Sequence, residues 1–80
     1  MRLILSTWME VQAYLRQTDG ILIPTGSIEQ HGPMGLIGTD MLCADDIATA
    51  AAENANALVA PPIAYAPAEF NMDFAGTCLL

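Results

Sequence analysis

The spacing of apolar residues divides the chain into short helical and extended stretches. Trp8, Val11 and Leu15 recur at i, i+3 and i+7, which gathers them on one face of a helix. Thr7-Trp8-Met9-Glu10 has the form of a capping box, where hydroxyl and carboxylate satisfy each other's free backbone amides. Asp19-Gly20 marks the predicted stop. Ile21-Leu22-Ile23 is apolar without alternation and is closed by Pro24, the pattern of a short strand buried on both faces. Residues 41–56 read as an alanine-rich helix whose small side chains let it sit close against a sheet. Asp45, Thr49, Glu53 and Asn56 form its polar stripe, with Cys43, Ile47, Ala50 and Ala51 facing the other way. Thr39 or Asp40 is placed to cap it, and Asp45 and Asp46 complement its dipole. Leu58-Val59-Ala60 is the second short strand, stopped by Pro61-Pro62.

Strand, helix and strand in this order predict a βαβ unit with parallel strands and a right-handed crossover. The expected fold class is α/β, a parallel sheet with helices on both faces, of which this chain holds only the N-terminal βαβ part. Residues 63–77 read as a loop with aromatic anchors at Tyr65, Phe70 and Phe74, and Cys78-Leu79-Leu80 begins another apolar run. Two strands and two helices cannot cover both faces of a sheet, so the architecture reads as unfinished.

Composition sharpens that reading. Of 80 residues, 54% are hydrophobic and 14% charged, against roughly 25% charged in an average soluble domain. No run approaches the ~20 apolar residues of a spanning helix, and Leu3-Ile4-Leu5 after Arg2 is too short for a signal peptide. The composition therefore predicts part of a larger soluble protein and opposes a stand-alone interaction module, whose apolar helix faces would be left wet. The net charge of −7 argues against nucleic acid or an anionic membrane as partner, since both need a basic patch. Cys43 and Cys78 make no disulfide framework, which points to a reducing cytoplasm.

The chemistry concentrates in residues 26–40. Gly26, Gly32, Pro33, Gly35 and Gly38 imply a shaped loop leaving the carboxyl end of the first strand, where open α/β sheets bind ligands. On an extended chain Glu29 and His31, at i and i+2, project to the same side, and Asp40 can swing back toward them from the mouth of the next helix. Carboxylate, imidazole and carboxylate make a mixed donor set suited to Zn²⁺, Mn²⁺ or Fe²⁺. Three such groups can hold one metal with an open position but cannot fully hold two. Each residue also has a plain alternative: His31 as a loop hydrogen-bonder, Asp40 as an N-cap, and Glu29 as a solvated side chain.

The string Gly26-Ser27-Ile28-Glu29-Gln30-His31-Gly32-Pro33 with Thr39-Asp40 resembles the creatininase (creatinine amidohydrolase) family. Trp8, the strand ending Ile23-Pro24, the stretch Leu58-Val59-Ala60-Pro61-Pro62-Ile63-Ala64-Tyr65, and Phe74-Ala75-Gly76-Thr77 fall in the family's order. The resemblance implies that residues 1–80 are the N-terminal part of one domain. It implies a centre of two divalent ions, Zn²⁺ and/or Mn²⁺ with Fe²⁺ possible. Glu29 and His31 would each bind one ion and Asp40 would bridge both, with a further histidine and glutamate supplied beyond Leu80. The implied reaction is hydrolysis of a non-peptide or cyclic amide C–N bond in a small-molecule substrate by a bridging water that the metals activate, in a protein that is a homo-oligomer at full length.

The sequence also departs from the family pattern. Met34, Gly35, Leu36 and Ile37 stand where a histidine and Leu-Pro are usual, Ala66 replaces a glycine, and Ala75 replaces a proline, which weakens any claim to creatinine itself. Residues 65–73 are expected to border the substrate pocket. Tyr65 and Phe70 are the candidate substrate-binding residues, although a role as aromatic core anchors is the reading their type favours. Glu69 and Asp73 are expected to be solvated, and Cys43 to lie in the core. A non-catalytic relative or fragment that keeps the fold for small-molecule binding or assembly is the competing functional reading.

Overall fold

The first helix, α1 (Trp8–Leu15), starts where the sequence places it. Glu10 N–H donates to Thr7 Oγ1 at 3.2 Å and Thr7 N–H donates to Glu10 Oε1 at 3.1 Å, so the capping box closes reciprocally. The helix then ends at Leu15, well before Asp19-Gly20. The structure is a computed structural model that describes residues 1–78; Leu79 and Leu80, which belong to the last apolar run, lie outside the described residues. Strand β1 (Ile21–Leu22), helix α2 (Thr39–Ala55) and strand β2 (Leu58–Val59) follow, with short 3-10 helices at Leu3–Leu5 and Glu69–Asn71.

The strands pair in parallel with Ile21 opposite Leu58 and Leu22 opposite Val59, as the βαβ pattern requires. The pairing outlasts the named strands. Ile63 N–H donates to Pro24 O and Gly26 N–H to Ile63 O, both at 2.9 Å, so Pro61-Pro62 interrupts the ladder without ending it. On the other edge of β2, Val59 N–H donates to Met1 O at 2.8 Å and Arg2 forms a parallel bridge to Val59. The N-terminal segment thus supplies a further rung that the apolar pattern did not show.

Burial follows β2. Leu58 and Val59 are buried, with Ala52 of α2 beside them, and Ala68 and Pro24 complete the buried set. Three expectations about faces are corrected here. Strand β1 is exposed on both faces, because α2 packs on β2 and, among the described residues, no second layer covers Ile21 and Leu22. Helix α2 turns Ala44, Asp45, Ala48, Thr49 and Ala52 inward and leaves Cys43, Ile47, Ala50 and Ala51 exposed, so Cys43 is no core residue. Five alanines in the stretch from 44 to 52 give the apolar pattern no clear direction, and close approach to the sheet selects the face that carries Ala44, Ala48 and Ala52. On α1, Trp8 stays 74% exposed and Leu15 is exposed too. Tyr14 makes the inward tie instead: its hydroxyl donates to Gly20 O and accepts from Leu58 N–H at 3.1 Å, joining α1 to β2.

Candidate metal centre

The site is built where β1 hands over to the loop of residues 26–38. Past the Thr25–Ile63 bridge the chain stays extended, and Ile28 pairs antiparallel with Cys78, whose N–H donates to Ile28 O at 3.0 Å. Glu29 N–H donates to Ile37 O at 3.1 Å, which cinches the two ends of the loop together. Residues 29 and 31 are thereby held against the first turn of α2. Two glycines make the closeness possible. A Cβ on Gly26 would lie 2.4 Å from the backbone carbon of Asp40 and the nitrogen of Met41, so only glycine lets the strand end abut the helix start. A Cβ on Gly35 would lie 2.0 Å from His31 O, which fixes the tight return after His31.

Asp40 is not the cap of α2. Gly38 holds the N-cap position without a side-chain bond and Asp40 sits within the first helical turn, which leaves both its carboxylate oxygens for other partners. Ser27 Oγ donates to Asp40 Oδ2 at 2.9 Å, and His31 Nε2 lies 3.3 Å from Asp40 Oδ1. The carboxyl of Asp40 is held below its ordinary value of 3.8, first by the Ser27 hydroxyl and against the pull of partial burial; hydrogen bonding with Glu29 and the adjacent His31 imidazole add to the lowering. Glu29 accepts from Asn71 Nδ2 at 2.8 Å.

Glu29, His31 and Asp40 thus come together, each offering a ligand atom within 4.8 Å of the others. The 3.3 Å between His31 Nε2 and Asp40 Oδ1 is close to the edge of a tetrahedron with bonds of about 2.1 Å, the length typical of zinc with nitrogen or oxygen. Two carboxylates at this range repel each other unless positive charge lies between them, and an imidazole beside them completes a hard-to-borderline donor set. The three residues fit a divalent cation on donor type and spacing.

The other sequence candidates fare differently. Phe70 is 97% exposed and Tyr65 57% exposed, so neither anchors a core. The same segment touches the site through Asn71. Phe74 lines a cavity of about 200 Å³ with Gln30, Gly32 and Pro33, flanking His31. Glu69 and Asp73 are exposed, as expected. Sequence reading missed Ser27, Gln30 and Asn71 as supports of the cluster. Ser27 and Gln30 lie inside the motif string itself, whereas nothing local marks Asn71.

Fold and cluster together define a class: an α/β protein with a possible divalent-cation site beyond the carboxyl end of a parallel strand. The chain belongs to the creatininase family, described as creatinine amidohydrolase, which it matches over residues 5–80. It is similar to a mycofactocin precursor peptide peptidase of Mycobacterium ulcerans (strain Agy99), 41% identical over 66 residues, covering 71% of this chain and 26% of that protein. A mycofactocin precursor peptide peptidase of Mycolicibacterium smegmatis (strain ATCC 700084 / mc(2)155) is 38% identical over 63 residues, with the same 71% and 26% coverage. The chain spans about a quarter of the length of these curated relatives, at 26%.

Proposed function

We propose that residues 1–80 are the N-terminal part of one creatininase-like domain, and that the complete protein is a metal-dependent amidohydrolase. The observation that carries this reading is the convergence of Glu29, His31 and Asp40 in a chain of this family. These three would hold two divalent cations, Zn²⁺ and/or Mn²⁺ with Fe²⁺ as a third candidate, Asp40 being shared between them; a histidine and a glutamate from outside residues 1–80 complete the set. When bound, such cations polarise an amide carbonyl and lower the pKa of water at neutral pH. The chain's own residues prepare that chemistry. Ser27 donates to Asp40 Oδ2 and orients its carboxylate, the Ile37 carbonyl anchors the backbone of Glu29, and Gly35 allows the turn that presents His31. A cytoplasmic location belongs to the proposal on the sparse free cysteines, and a homo-oligomer on the family resemblance.

The bond cleaved is an amide C–N bond. A non-peptide or cyclic amide is the first reading of the substrate. A peptide is the second, favoured by the two relatives named as precursor peptide peptidases. Metal analysis of the full-length protein, followed by a screen of cyclic amides, formamides and short peptides, tests both. Bound metal and hydrolysis of one class are expected, with Asp40→Ala losing more than about 100-fold in activity, beyond what second-shell changes cost. Undiminished metal content and activity in Asp40→Ala would overturn the proposal.

A further inference from the structure

We propose that Asn71 is a positioning residue for the Glu29 carboxylate, oriented by a directional chain of hydrogen bonds that begins at the backbone of Gly32; this rests on the metal-site reading above. Gly32 N–H donates to Gln30 Oε1 at 2.8 Å. A backbone N–H can only donate, so this contact fixes which end of the Gln30 amide is oxygen. The Gln30 Nε2 then donates to Asn71 Oδ1 at 3.0 Å, and that fixes the Asn71 amide in turn. Its Nδ2 is left to donate to Glu29 Oε2 at 2.8 Å. Either amide turned over would bring donor against donor or oxygen against oxygen, so the network admits a single orientation.

The arrangement does two things to Glu29. It ties Oε2 of the carboxylate, which restricts the rotamers the side chain must give up on binding a cation. It also orients without neutralising: an amide donor carries no net charge, so it competes with a metal for the carboxylate far less than a lysine or arginine in the same place would. Asn71 reaches across 42 residues, from the 3-10 helix Glu69–Asn71, to make this bond.

The test is chelator competition with Mn²⁺ and Zn²⁺ on the full-length protein, comparing wild type with Asn71→Ala, Asn71→Leu, Gln30→Ala, the Asn71→Ala/Gln30→Ala double variant and Glu29→Ala. Asn71→Ala and the similarly shaped Asn71→Leu are each expected to weaken metal binding about 10–100-fold, with the melting temperature of the metal-free protein unchanged. Gln30→Ala is expected to weaken it less, and the double variant to match Asn71→Ala alone, since Gln30 acts through Asn71. Wild-type affinity in both Asn71 variants, while Glu29→Ala loses metal, overturns the inference. A lower melting temperature of the metal-free protein in both Asn71 variants, matching their loss of affinity, also overturns it by assigning Asn71 to packing. If Glu29→Ala itself keeps full affinity, the metal-site reading falls and this inference with it.

Discussion

At the scale of single residues, the cluster depends as much on atoms that are missing as on those that bind. Gly26 has hydrogen where any other residue would meet the Asp40–Met41 backbone at 2.4 Å. Backbone cannot rotate away as a side chain can, so Gly26→Ala should destabilise by about 1–3 kcal/mol, the usual cost of overpacking, and should displace Asp40. Urea denaturation and metal affinity measured together would show both losses. Ser27→Ala tests the electrostatics. Because Asp40 titrates below 3.8 in the folded chain, its ionised form contributes stability that is complete above the unfolded-state value and fades as pH falls through the folded one. In the metal-free variant the largest lowering contact is gone, so the Asp40 carboxyl followed by NMR should titrate closer to its ordinary range. The acid loss of stability should shrink correspondingly. An unmoved titration would remove Ser27 from the account.

At the scale of elements, what the sequence made legible was local. The capping box at Thr7 and Glu10, the two strands and the parallel pairing needed only neighbouring residues or the rule that a helical crossover joins parallel strands. Glu29, His31 and Asp40 were legible because two sit at i and i+2 on extended chain and the third opens the next helix. The inward face of α2 was not legible, since alanine lies all round it and the periodicity carries little contrast. Asn71 was not legible either, because its partner lies 42 residues away and asparagine in a loop is unremarkable by itself. Tyr14 shows the same limit: its hydroxyl tie between α1 and β2 lies off the Trp8–Val11–Leu15 stripe. Tyr14→Phe should cost about 1 kcal/mol for the lost bonds, read as a shift in denaturant midpoint at constant slope; no shift would mean that α1 is held otherwise.

At the scale of the whole molecule, the chain is long and thin. Its radius of gyration is 15.3 Å, with extents of 47 × 22 × 17 Å, where about 12 Å is typical of a compact domain of this length. Trp8, Ile47, Met34 and Phe70 all stand in solvent. Expressed as the 80-residue chain alone, the polypeptide should bind a hydrophobic dye and elute from gel filtration ahead of a monomer, because apolar surface on this scale associates. With three donor groups it should also bind Zn²⁺ more weakly than the full-length protein. A monomeric chain with a cooperative thermal transition would contradict the first expectation, and equal affinity the second.

The crowding at Gly35 has a consequence for how this protein could be changed. With a Cβ there placed 2.0 Å from the His31 carbonyl oxygen, that position tolerates no alternative. Met34 on one side is 95% exposed and Leu36 on the other 67% exposed, so both have room that Gly35 lacks. A randomised library aimed at new substrates therefore has two free letters and one forbidden letter in a row. Selection on such a library should diversify codons 34 and 36 while returning glycine at 35 in every surviving clone.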